Sequence, residues 1–140
     1  TATTEIYTLS LHDALPIYSM AHKLGAEFNI PHGVANALLI NTVIEYNSED
    51  VPTKQTAFPQ YEYPSAKSRY ARITDYLGLG GSTTCEKMSR LVEAINELKR
   101  QLEIPSSIRE YGVSEVDFLA VVDGLAERAF DDQCTGANPR

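Results

Sequence analysis

The chain has 140 residues, 43% of them apolar and 22% charged, enough to bury one hydrophobic core and inconsistent with a disordered or collagen-like polymer. Its formal charge of −7 and pI near 4.9 exclude the clustered Lys and Arg that phosphate backbones and anionic bilayers require, so no nucleic-acid and no membrane partner is expected. No run approaches the roughly 20 apolar residues that cross a bilayer, and two widely separated cysteines, Cys85 and Cys134, imply neither a disulfide framework nor a cysteine zinc site, so a cytoplasmic setting is expected.

The opening segment, TATTEIYTLSLHDALPI (1–17), lacks the basic start, long apolar stretch and small-residue cleavage site of a signal peptide. Read back into codons, it resembles the in-frame translation of a common short-read sequencing adapter. That resemblance excludes 1–17 from the fold and leaves 18–140 as the domain. It also implies that the Tyr18 codon is a histidine codon altered at its first base.

From Tyr18 onward the apolar spacing is helical, without sustained strand alternation, and predicts an all-α helical bundle. A helical fragment at 19–28 breaks at Asn29-Ile30-Pro31, because the residue before a proline is pushed out of the α region. Pro31 then suits a first helical position. Ala35, Leu38, Leu39, Thr42, Val43 and Tyr46 recur at offsets of three and four and predict one apolar stripe on a helix ending near Asn47. The stretch 48–63, with two prolines and no period, is a connector.

Helix resumes at Pro64 with Tyr63, Tyr70, Ile73 and Leu77 inward, and Gly78 with Gly80-Gly81 closes it. Thr83-x-x-Glu86 is a capping-box pattern that opens a helix striped by Met88, Leu91, Val92, Ile95, Leu98 and Leu102 up to Pro105. Glu97, Lys99 and Arg100 form its solvated face. One turn is predicted around Ile108. Ser114-x-x-Asp117 then caps a last helix with Phe118, Leu119, Val122, Leu125, Ala126 and Ala129 inward, and 131–140 is a polar, turn-rich tail. The body is thus four main helices behind a helical fragment.

Unusual residues gather in SMAHKLGAEFNIPHG (19–33). His32 follows a proline at a helix start, where the positive end of the dipole disfavours imidazolium and leaves a lone pair for a metal. His22 lies four residues after Tyr18, so the two share a helix face one turn apart. Gly25 and Gly33 remove bulk where a ligand or a neighbouring backbone approaches. On residue type alone, such a histidine is more often a hydrogen-bonded structural residue than a ligand, and the spacing of His22 from His32 matches no common zinc motif. Cys85, at a helix start, and Cys134, in the tail, are read as structural. Tyr61, Tyr63, Tyr70 and Tyr76 are read as packing, because no basic neighbours make them a stacking platform.

The block SMAHKLGAEFNIPHGVANALLINTVIEYN resembles the second signature of the iron-containing alcohol dehydrogenases. PTKQTAFPQYEYPSAKSRYARITDYLGL and IPSSIREYGVSEVDFLAVVDGLAERAFDDQCTGANPR resemble the alcohol dehydrogenase half of bifunctional aldehyde-alcohol dehydrogenases. Together the similarity covers essentially all of 18–140.

The fold it implies is the C-terminal helical domain of the iron-dependent alcohol dehydrogenase and dehydroquinate synthase-like fold, truncated. His32 matches a metal ligand. His22 matches a catalytic histidine beside substrate and nicotinamide, and Tyr18 falls on a second ligand position that is normally histidine. A phenol, with a pKa of about 10, replaces neutral imidazole poorly.

The implied cofactors are Fe2+, with Zn2+ as the alternative, and NAD. The implied substrates are a small primary alcohol and its aldehyde, ethanol and acetaldehyde, in a homo-oligomeric parent that takes acetyl-CoA to ethanol. In that family the nucleotide-binding loop and two further metal ligands, an Asp and a His, lie upstream of the part matching 18–140. The chain alone is therefore expected to be inactive and to bind neither iron nor NAD tightly. The alternatives are a piece of a monofunctional butanol or alcohol dehydrogenase, and a non-catalytic helical interaction or scaffold module.

Overall fold

The computed structural model describes residues 15–49 and 66–132. Within them lie helices α1 (Leu15–Phe28), α2 (His32–Ser48), α3 (Ala66–Tyr76) and α4 (Thr84–Gln101), the one-turn α5 (Ile108–Tyr111) and α6 (Glu115–Phe130), and no strand. The predicted all-α bundle is what the described residues form. The predicted connector over 50–63, the helix start at Pro64, Tyr61, Tyr63 and Cys134 lie outside the described residues, as do 1–14 of the opening segment.

Local chemistry sets the helix ends. The Thr83 hydroxyl accepts from the Glu86 N–H at 3.2 Å while the Glu86 carboxylate accepts from the Thr83 N–H at 3.1 Å, so the capping box closes as read from the sequence. Ser107 and Ser114 cap α5 and α6 by accepting from the N–H groups of Glu110 and Asp117. Three ends share one stop: Gly78, Glu103 and Gly112 take left-handed backbone at φ 66, 55 and 111. In each, the next residue's N–H reaches back five positions, from Leu79 to Thr74, Ile104 to Lys99 and Val113 to Ile108. Glu103 alone of the three carries a Cβ, at a cost of about 1 kcal/mol in that conformation.

Two termini differ from expectation. α1 begins at Leu15, not residue 19, and Ile17 is only 6% exposed, so the helix runs back into the segment excluded on sequence grounds. Pro31 is the N-cap, not the first helical residue: its ψ of 137° is extended, and its carbonyl accepts the first helical bond from the Ala35 N–H at 2.9 Å.

The core is double. Ala21 and Leu24 of α1, Ile30, Ala35 of α2 and Leu125 of α6 form one cluster, flanked by Leu38, Leu39, Phe118 and Val121. Ile44 of α2, Ala66 and Tyr70 of α3 and Leu91 of α4 form the other, flanked by Ile40, Ile73, Met88, Val92 and Ile95. Each fully buried Leu or Ile side chain contributes about 1.5–3 kcal/mol. α2 belongs to both clusters, and so its single predicted stripe holds only in part: Ala35 and Val43 are buried as expected, but Thr42 and Tyr46 face solvent, whereas Ile44 and Asn47 are buried.

The other stripes fail where the partner helix ends. α3 has 11 residues against the 18 of α4, leaving Leu98 and Leu102 at 54% and 61% exposed, while Lys99, predicted to be solvated, is buried at 8%. Leu77 and Tyr76 at the end of α3, and Leu119 and Ala126 on α6, also point outward. The fully buried Thr74 donates to the carbonyls of Tyr70 and Lys87, and Lys87 pairs with Asp75 at 2.7 Å, so α3 and α4 are tied by polar as well as apolar contacts.

Candidate functional site

The α1–α2 junction brings the singled-out residues together. α1 stops at Asn29, whose φ of 54° turns the chain out of the helix, a conformation asparagine tolerates through its short polar side chain. Gly25 makes the return tight: a Cβ there would sit 3.1 Å from the Ile30 carbonyl oxygen. The close backbone approach expected at Gly25 is therefore present. At Gly33 it is not, for a Cβ would meet nothing within 4 Å. Tyr111 of α5 donates to the Asn29 carbonyl at 3.5 Å, and Phe28 packs on Phe118 with centroids 6.1 Å apart, so α5 and α6 brace the junction from behind.

On this brace three rings converge. The ring centroid of His32, the first residue of α2, lies 4.9 Å from that of His22 and 5.6 Å from that of Tyr18, with interplanar angles of 23° and 18°. Both imidazoles are exposed and Tyr18 is half-buried. Tyr18 is anchored by its neighbours Ile17 and Ser19, both buried, and His22 by the adjacent Ala21, which is fully buried. The cluster is a rim of aromatic nitrogen and oxygen donors over an aliphatic floor.

Asn36 was not singled out in the sequence. It lies four residues after His32 and so shares its face of α2, and its Oδ1 is buried without a hydrogen-bond partner among the described residues. The sequence signal for it was one of periodicity, a polar residue one turn beyond the histidine and inside an apolar run.

Among the described residues no group of three or more His, Cys, Asp or Glu is close enough to hold a metal ion. Two imidazoles and a phenol thus make one side of a metal site, not a closed cage. Cys85 is exposed and free, on a groove that also carries Glu45, Glu93 and Met88, the last packed against the second cluster.

The perturbed carboxylates are elsewhere. Glu86 is held below its ordinary value by the backbone N–H groups of Ser82 and Thr83, Glu110 by the Ser106 hydroxyl and N–H, and Glu97, hydrogen-bonded first by Arg100 and then by Gln101, falls to about 2. All three are exposed and belong to helix ends and surface pairs.

A family model described as "Fe-containing alcohol dehydrogenase family, C-terminal" matches residues 9–140. The bifunctional aldehyde-alcohol dehydrogenase AdhE of Escherichia coli (strain K12) is 62% identical over 125 residues, which cover 88% of this chain and 14% of that protein. The NADPH-dependent butanol dehydrogenase of Clostridium saccharobutylicum is 40% identical over 123 residues, covering 88% of this chain and 28% of that one. The crystal structure of a 1,3-propanediol oxidoreductase superposes with a TM-score of 0.67 at 31% identity, over 89% of this chain and 28% of that chain. The chain thus spans about one-seventh of the length of the bifunctional relative.

Proposed function

Because this chain belongs to the iron-containing alcohol dehydrogenase family, we propose that it is the helical C-terminal part of an enzyme interconverting ethanol and acetaldehyde with NAD, of the bifunctional kind that takes acetyl-CoA to ethanol. The observation that carries this reading to a site is the convergence of the His22 and His32 rings, 4.9 Å apart, within the stretch that resembles the family signature. His32 is the metal ligand, His22 stands beside the substrate, and Tyr18 stands where a second ligand belongs.

The donor set fits one face of such a centre. The start of α2 holds His32 at the rim, and α1 sets His22 against it, so one imidazole is free to bind and the other to hold or pass a proton at the substrate oxygen. The family's Asp and His, carried by the nucleotide-binding domain, complete the centre in the parent enzyme. When bound, Fe2+ supplies a Lewis acid that polarises the alcohol or carbonyl oxygen, with NAD exchanging hydride. Ile17 packs as part of α1 whatever the origin of the opening segment, and histidine is the natural residue at 18. The chain by itself is inactive, works in the cytoplasm as part of a homo-oligomeric parent, and holds neither iron nor NAD tightly.

The test joins 18–140, carrying Tyr18→His, to a matching nucleotide-binding half. The fusion should oxidise ethanol with NAD only when loaded anaerobically with Fe2+, and His32→Ala should abolish iron retention measured by metal analysis. A repaired fusion that stays metal-free removes His32 from its role. Activity on butanol in preference to ethanol, with no acylating aldehyde dehydrogenase encoded upstream, moves the chain to the monofunctional branch.

A further inference from the structure

We infer that the groove between the end of α2 and the first half of α4 is a docking surface for a basic amphipathic segment of another protein. The inference rests on the lining of that groove and on charge, not on the dehydrogenase reading, so either can fail without the other.

The two walls run antiparallel. Asn41 of α2 donates to Asn96 of α4 at 2.6 Å, and Ser48, at the far end of α2, donates to the Met88 sulfur at 3.9 Å. Between them lies a groove of about 710 Å³, a size that accepts large apolar groups. Its α4 wall from Cys85 to Glu93 is about 12 Å long, two turns of a docked helix, and Glu45 stands about 20 Å along α2 from His32, well away from the ring cluster.

Floor and walls differ in chemistry. Half-buried Met88 and Val92 make an apolar floor, and Met88 continues into the second cluster. A methionine thioether is unbranched and polarizable, so it adapts to different apolar side chains. Exposed carboxylates rise on both sides, Glu45 and Glu49 from α2 and Glu93 from α4, against one basic residue, Lys67, among the described lining. Glu45 makes no ion pair among the described residues. Glu93 pairs with Arg90 at 3.0 Å, but both are exposed, and such a pair yields readily to another cation.

Charge selects the occupant. An apolar floor between carboxylate walls suits a helix that places apolar anchors one turn apart with Lys or Arg beside them. A second copy of this chain suits it badly, because each copy carries a net charge of −7 and repels the other. A lone aliphatic amine would satisfy one carboxylate and leave most of the two-turn floor uncovered.

The experiment titrates the whole 140-residue chain, carbon-13-labelled at the methionine methyls, with a peptide of about ten Leu and Lys residues at helical spacing. The Met88 methyl should shift while that of Met20, in α1, does not, and bound peptide should slow alkylation of the Cys85 thiol. A peptide with every Lys replaced by Glu should not bind, and one with every Leu replaced by Ser should bind about tenfold more weakly. Glu45→Lys combined with Glu93→Lys should weaken binding about tenfold through the loss of two ion pairs. Asp123→Lys combined with Glu127→Lys on α6 changes the net charge equally and should leave affinity unchanged. All four side chains are exposed, and far-UV circular dichroism checks that each variant is folded. An unmoved Met88 methyl, a Met20 shift as large as that of Met88, undiminished binding of the Glu or Ser peptide, or equal loss in both double variants overturns the docking surface. Methyl broadening that follows protein concentration without peptide also overturns it, in favour of a second copy.

Discussion

At Tyr18 packing and donor chemistry are separate matters. Its ring lies near-parallel to that of His32 and is half-buried, so ring shape sets its packing while its phenolic oxygen sets what it can ligate. That Tyr18, His22 and His32 deserve notice is legible in the sequence, since the first two share a helix face and the third follows Pro31. Their convergence is not, for it depends on how α1 and α2 meet across the Asn29 turn. Asn36 was missed because a polar residue inside an apolar run looks like one more interruption.

Residue chemistry is clearest at Glu97, which accepts from Arg100 at 2.6 Å and 2.9 Å and from Gln101 at 2.8 Å. Its pKa falls from 4.5 to about 2, with the Arg100 hydrogen bond the largest cause. A depressed carboxylate favours the folded state above its unfolded value and loses that contribution as pH falls from 4.5 towards 2. The group is fully exposed, so the effect on stability is small. A carbon-13 titration should find its midpoint well below 4.5, and Arg100→Ala should return it towards 4.5.

Helix ends were legible because they depend on residues within one turn. Thr83 with Glu86, Ser114 with Asp117, and Gly78 all do in the structure what their spacing says. Thr83→Ala should cost about 1 kcal/mol in a denaturant melt, with helix content falling only modestly. Helix faces were less legible, because a stripe is buried only as far as its partner extends. Leu98 and Leu102 keep the period of α4 but run past the end of α3. On α6, Val121 is drawn into the core in place of Leu119 by contact with α1 and α2. Lys99 is a further case, because its long aliphatic stem can lie along apolar surface while the sequence records only its charge.

At the scale of the whole molecule, ion pairs tie α1 to α6 and the residues just after it, Lys23 with Asp132 at 3.0 Å and Arg128 with Glu27 at 3.5 Å. Partly exposed pairs of this kind contribute at most about 1 kcal/mol each, so apolar contact holds the assembly. Among the described residues, no helix is long and apolar enough to cross a membrane. Helical spacing of the apolar residues made the fold class legible, but it could not reveal that the core is split.

Sharing α2 between two aliphatic clusters makes that helix the keel of the domain. Either flank can open while α2 still packs on the other, so its middle amides are released only when both have gone. Amide exchange at Val43 and Ile44 should accordingly be slower than anywhere in α1, α3 or α6. Leu91→Ala should speed exchange in α3 and α4 and leave α1 and α6 nearly unchanged. The molecule would then melt as two leaves hinged on one spine, and uniform acceleration along the chain would show a single cooperative block instead.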